Sequence, residues 1–114
     1  MHYVIAGCVE SDGAVERCYD VGGEPEFWTL YAYAPLCSAL ADFTCAADAI
    51  EVWAVLGGVE LTRSVRCELA SLVLEHKFLY LPAAKLPTVT IDEPPQTPFL
   101  HREWGHYFKD LTCP

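Results

Sequence analysis

The sequence predicts an α+β fold in which two to three helices pack on a small antiparallel sheet of three to four strands. Three observations favour it. Residues 1–43 alternate apolar and aromatic runs with turn sequences, residues 44–77 have helical spacing, and residues 78–97 are rich in proline. At 114 residues and 53% hydrophobic content, the chain has the size and composition of a single domain, residues 1–114.

Residues 1–43 predict a strand meander. Four strands are expected, separated by turn sequences such as Ser11-Asp12-Gly13 and Gly22-Gly23-Glu24-Pro25: His2–Glu10, Ala14–Val21, Phe27–Ala34 and Leu36–Phe43. The second strand alternates, so that Val15, Arg17, Tyr19 and Val21 share one face. The third is aromatic on both faces, which predicts a central strand or one that lies against a partner.

Residues 44–77 predict two helices. Thr44 is the expected N-cap of a helix over Cys45–Leu56, which the pair Gly57-Gly58 ends. Thr62 is the expected N-cap of a second helix that runs to about Lys77. Its inner stripe should contain Val65, Leu69, Leu72 and Val73. Cys67, Ala70 and Leu74 make its other face partly apolar, so we expect this helix to be buried on two sides.

Residues 78–97 are expected to be a proline-rich connection. Five prolines between Pro82 and Pro98 exclude a continuous helix and leave at most a short edge strand at Leu86–Ile91. Thr97-Pro98 then supplies the N-cap and first-turn proline of a terminal helix over residues 98–111. Its docking stripe should contain Leu100, Trp104, Tyr107 and Leu111.

The charge is unevenly distributed along the chain. The protein has 16 Asp and Glu against 7 Lys and Arg, a formal net charge of −9. Residues 1–62 contain ten carboxylates and the single cation Arg17, whereas residues 63–114 are neutral. Direct binding to nucleic-acid phosphates is therefore not expected, because it requires a basic surface. A membrane-spanning protein is also not expected, since no run approaches about 20 apolar residues.

An acidic binding surface is the main functional prediction. Eight carboxylates in the predicted N-terminal strands and turns and on the outer face of the first helix are the candidate partner-binding residues: Glu10, Asp12, Glu16, Asp20, Glu24, Glu26, Asp48 and Glu51. A groove that binds DNA or RNA presents Lys and Arg, so such carboxylates can occupy it. The expected partner is a basic nucleic-acid-binding protein or complex. The alternative is a solvated acidic surface without a specific partner.

In size, acidity and lack of a catalytic motif, the chain resembles the small inhibitor proteins of phages and mobile elements. These include anti-CRISPR and anti-restriction proteins, some of which mimic DNA. The resemblance covers the whole chain through composition, contains no diagnostic motif and therefore assigns no residue. It implies a non-enzymatic inhibitor in the cytoplasm, that of the host cell if the protein is phage-encoded.

The cysteine pattern predicts neither a metal site nor a cofactor. The six cysteines lie at positions 8, 18, 37, 45, 67 and 113 without the close pairs of structural zinc sites. Because the start lacks a secretory signal, we expect reduced, mostly buried thiols. The alternative is a small Cys/His enzyme or metal-binding domain that uses His101, His106 and Cys113, although the two histidines would be about 140° apart on a helix.

A third alternative is a structural oligomer subunit. Aromatic side chains are common interface anchors, and the third predicted strand is rich in them. A homodimer contact is expected, in this alternative, through Trp28, Tyr31 and Tyr33.

Overall fold

The computed structural model describes residues 2–32, 37–83 and 88–93, and within them it confirms the α+β fold. The strands of this part of the chain are β1 (His2–Ser11), β2 (Ala14–Arg17), β3 (Phe27–Ala32), β4 (Ser38–Phe43), β5 (Val59–Leu61), β6 (Phe78–Pro82) and β7 (Val89–Ile91). The helices are α1 (Cys18–Val21), α2 (Ala46–Gly57) and α3 (Arg63–His76).

β1 is the centre of the main, antiparallel sheet. Cys8 pairs with both Arg17 of β2 and Phe27 of β3, so these two strands lie along opposite edges of β1. β6 shares the edge of β2 and pairs with the first half of β1, while β4 pairs with the outer edge of β3. The order β2-β1-β3-β4 therefore brings the chain just before β3 beside the β1–β2 hairpin. A separate two-stranded sheet joins β5 and β7 in parallel.

The main core lies between one face of this sheet and the helices α2 and α3. Its fully buried side chains include Ile5, Leu30, Ile50, Trp53, Leu69 and Leu79. The indole Nε1 of Trp53 donates a hydrogen bond of 2.9 Å to the carbonyl of Pro82, which links α2 to the end of β6. The opposite face of the sheet is hereafter called the second face. It carries a second cluster of buried residues, which alternate along the strands with the core residues: Val4, Ala6, Cys8 and Tyr80.

The termini of α2 and α3 follow local signals, with one correction. Gly58 ends α2 in the left-handed conformation (φ 66°), as predicted. Thr62 caps α3, because its Oγ1 accepts a hydrogen bond from the Val65 amide. The N-cap of α2 is Cys45 rather than Thr44, and its side chain makes no capping bond. Burial of Ala46 in the core sets the start of this helix, not a side-chain cap.

α3 is buried on one side, which corrects the expectation of two. Val65, Leu69 and Val73 are buried, but Cys67 and Leu74 are exposed, with Leu74 58% accessible. The main sheet therefore receives only one apolar stripe from this helix.

Two strand predictions also need correction. The second strand ends at Arg17 rather than Val21, because the chain turns there into the short helix α1. β6 occupies the start of the segment predicted as a connection from residue 78. Its first four residues precede every proline of that segment, and Pro82 stands at its end, where a missing donor is tolerated. β7 lies within the predicted short strand, and the predicted terminal helix lies outside the described residues.

Candidate acidic interaction surface

Six of the eight predicted carboxylates lie within residues 10–26, on the β1–β2 hairpin, on α1 and on the loop before β3. We call this group the acidic end, and all its members are exposed: Glu10, Asp12, Glu16, Asp20, Glu24 and Glu26. The hairpin that carries the first three turns through Asp12 and Gly13, with φ values of 53° and 79°. Positive φ at both positions matches the tight two-residue turn that fits the twist of paired strands. The hairpin therefore holds these carboxylates on regular structure.

Glu26 fixes the loop before β3 against β1. Its amide donates a hydrogen bond of 2.8 Å to the Cys8 carbonyl, and its Oε1 accepts one of 2.8 Å from the Glu10 amide. Because β3 is antiparallel to β1 and starts with Phe27 opposite Cys8, this loop ends on the side of the sheet where β1 enters the hairpin. The loop before β3 and the β1–β2 hairpin are thus joined through Glu26 and Glu10, which are 16 positions apart.

Two cations lie among the six carboxylates. Arg17 Nε is 2.9 Å from Asp20 Oδ2, and Lys77 Nζ is 3.7 Å from Glu24 Oε1. Lys77 also donates a hydrogen bond of 2.7 Å to the Gly23 carbonyl. Six carboxylates and these two cations give the acidic end a formal charge of −4. Such exposed ion pairs contribute little stability, so their main effect is on the local electrostatic potential.

The two remaining predicted carboxylates lie on α2 and differ from each other. α2 begins three residues after β4 ends at Phe43, which pairs with Trp28 at the level of Gly7. Asp48, exposed in the first helical turn, therefore lies towards the same end of the sheet as the acidic end, near the positive end of the helix dipole. Glu51 instead forms an ion pair with Arg66 of α3. The Glu51 carboxylate therefore contributes to the contact between α2 and α3.

An open groove of about 650 Å³ adjoins the acidic end on the second face. Its lining combines two predicted carboxylates with apolar, aromatic and thiol groups: Val15, Glu16, Arg17, Asp20, Val21, Tyr31 and Cys37. Val15 and Val21 are 55% and 53% accessible. This groove is not predicted by the sequence. One wall contains Val15 and Arg17, which the alternating pattern of the second predicted strand places on the same face.

Tyr31 forms the wall of the groove opposite β2 and α1. Its hydroxyl lies 3.7 Å from the Cys8 Sγ. Burial, with this hydrogen bond as the next cause, raises the pKa of Tyr31 to about 12. The phenol is therefore protonated at neutral pH and presents a neutral polar group to the groove.

The thiols are more exposed than expected. The five cysteines in the described residues are free, and Cys8 and Cys18 are buried, but Cys37, Cys45 and Cys67 are exposed. Burial, followed by the nearby Cys8, raises the pKa of the Cys18 thiol.

Within the described ranges no group of three or more His, Cys, Asp or Glu side chains could hold a metal ion. The candidates His101, His106 and Cys113 lie outside those ranges.

The aromatic strand β3 contributes mainly to the interior. Trp28 is 6% accessible and belongs to the main core, while Tyr31 is partly buried on the second face. Tyr33 lies outside the described residues. A homodimer contact through this strand stays a prediction.

Comparison with known proteins identifies no relative. No protein-family profile matches the sequence, and no curated protein or solved structure is significantly similar to it. Among the described helices, none is both long enough and apolar enough to cross a membrane.

Proposed function

We propose that this protein is a non-enzymatic inhibitor that occupies the basic groove of a nucleic-acid-binding protein or complex with its acidic end. The observation that carries this proposal is a set of six exposed carboxylates within residues 10–26, where the Glu26 carboxylate joins the loop before β3 to Glu10 of the β1–β2 hairpin. Among the residues that the structure describes, Arg17 and Lys77 form ion pairs with them. A surface of this charge attracts lysines and arginines and repels nucleic acid.

Fixed backbone geometry supports this role. The hairpin turn and the Glu26 hydrogen bonds hold the carboxylates on paired strands and a tied loop. A preformed array loses less conformational entropy on binding than carboxylates on a flexible tail would. Charge complementarity at such a surface also accelerates association, so inhibition should weaken as the salt concentration rises.

The test is a competition experiment with charge-reversed variants. Affinity capture first identifies a nucleic-acid-binding partner, and labelled DNA or RNA bound to that partner is then displaced by the purified protein. We expect the double variant Glu10→Lys, Glu24→Lys to inhibit at least about tenfold less well at low salt. Both side chains are exposed, and neither supplies the carboxylate that accepts the Glu10 amide.

The matched control is Glu60→Lys, Glu68→Lys, which changes the net charge equally on β5 and α3. We expect this control to inhibit like the wild-type protein. An equal loss in both double variants would show that net charge, rather than the acidic end, causes the inhibition. Unchanged inhibition by the Glu10, Glu24 variant would contradict the proposal.

A further inference from the structure

The groove beside the acidic end exposes apolar side chains where the surrounding surface is charged. Val15 and Val21 line it, and Tyr19, 58% accessible, lies between them in the sequence and packs its ring on Phe78 at 5.5 Å. These three residues come from the single segment formed by β2 and α1. An exposed apolar patch with a polar border is characteristic of an interaction site.

The polar groups of the groove have distinct electrostatic roles. Arg17 is paired with Asp20, so its charge is compensated within the groove. The hydroxyl of Tyr31 is hydrogen-bonded to the Cys8 thiol. Glu10, which lies across from Val15 in the β1–β2 ladder and therefore on the same face of the sheet, is exposed and gives the border its negative charge. The groove therefore combines aliphatic and aromatic walls with a negative border.

Charge selects the occupant of this groove. The acidic end carries a formal charge of −4 and the whole chain −9, so nucleic acid and a second copy of this chain are both repelled. A basic protein segment is attracted, and a basic segment with an apolar side chain can also cover Val15 and Val21. Interfaces commonly place such an apolar anchor at the centre of a charged rim.

We propose that the groove binds an apolar side chain of a basic segment of the partner, whose lysines or arginines contact Glu10 and the neighbouring carboxylates of the acidic end. This inference rests on the proposed function, because it names the part of the partner that is recognised. Attraction between charges alone would make the interaction strongly salt-dependent. The apolar contact in the groove is not screened by salt, so part of the affinity should remain at high salt.

Two synthetic peptides of equal length and charge test the inference. One alternates Lys with Leu and the other alternates Lys with Ser, and the binding of each to the purified protein is measured by fluorescence anisotropy. We expect the Lys/Leu peptide to bind about tenfold more tightly, because one buried apolar side chain is worth at least that factor. The preference should persist at high salt. Equal affinities for the two peptides would overturn the inference.

Surface variants locate the contact. Val15→Ser, Val21→Ser should abolish the preference for the Lys/Leu peptide and leave the affinity for the Lys/Ser peptide unchanged. The matched control, Val55→Ser, Leu56→Ser, removes two exposed apolar side chains from α2 and should retain the preference. Retention of the preference in the Val15, Val21 variant would contradict the inference.

A measurement on the wild-type protein avoids any effect of these substitutions on folding. Nuclear magnetic resonance shifts caused by the Lys/Leu peptide should be centred on Val15, Val21 and Tyr31, and a set of shifts centred elsewhere would overturn the inference. The two proposals can fail separately. Inhibition that depends on Glu10 and Glu24, without any peptide preference, would remove only the groove contact. A peptide preference in a protein that inhibits no nucleic-acid-binding partner would remove only the proposed function.

Discussion

Tyr31 illustrates how a single residue links the second face to the groove. Its ring packs against the cluster of Val4, Ala6 and Cys8, while its hydroxyl reaches the Cys8 thiol. The folded state therefore holds the phenolic proton more tightly than the unfolded chain does, with the pKa raised from 10.0 to about 12. The stability that this shift supplies is complete below about pH 10 and is lost as the pH rises towards 12.

A tyrosinate absorbance titration checks this shift. We expect Tyr31 to ionise near pH 12 in the folded protein and near pH 10 after unfolding in urea. Tyr31→Phe should remove this late step, because it removes the hydroxyl that contacts Cys8. Tyr19→Phe is the matched control and should retain it. A late step that survives in the Tyr31 variant would contradict the assignment.

At the scale of elements, the sequence predicts best where a signal is local. The start of α3 follows from the Thr62 cap, and the helix ends at His76, next to the predicted end at about Lys77. α2 shows the limit of such signals, because burial of Ala46 decides its start, and burial depends on distant contacts. β6 was not predicted because its pairing partner, β1, lies more than 70 positions earlier in the chain. A five-residue apolar segment acquires strand geometry from that pairing.

Trp53 is the main link between α2 and the end of β6. Its side chain is fully buried, and its Nε1 donates to the Pro82 carbonyl. Gly57 keeps this contact open, since a Cβ at that position would lie 3.0 Å from the Trp53 Nε1. Trp53→Phe retains an aromatic ring but removes the donor and some volume, and so leaves the carbonyl without this partner.

We expect Trp53→Phe to lower the free energy of unfolding by about 1–3 kcal/mol, measured by urea denaturation. Val55→Ala, at an 82% accessible position of the same helix, is the matched control and should change it by less than about 0.5 kcal/mol. Equal effects of the two substitutions would show that the Trp53 hydrogen bond is not a significant link between α2 and β6.

At the scale of the whole molecule, the site depends on topology more than on composition. The amino-acid sequence identifies the carboxylates, but their grouping requires β3 to pair with β1, which brings Glu26 to Glu10. Glu51 depends on topology in the same way, because its ion pair with Arg66 requires α2 and α3 to pack together. The groove is a further tertiary feature, because its walls come from β2, α1 and β3. Charge patterning alone could not separate these cases.

The grouping of like charges should also reduce stability at low salt, since the carboxylates of the acidic end repel one another. Asp12→Asn, Glu16→Gln removes two of them, and Asn tolerates the positive φ of position 12. We expect this variant to gain roughly 0.5 kcal/mol in the free energy of unfolding at low salt, and the gain to disappear near 1 M salt. Glu60→Gln, Glu68→Gln, measured by the same urea denaturation, should gain less. A gain that does not depend on salt would contradict electrostatic repulsion as its cause.

If the acidic end binds a basic partner, the stabilised variant should bind it less tightly, because the same charges that lower the stability of the fold attract the partner.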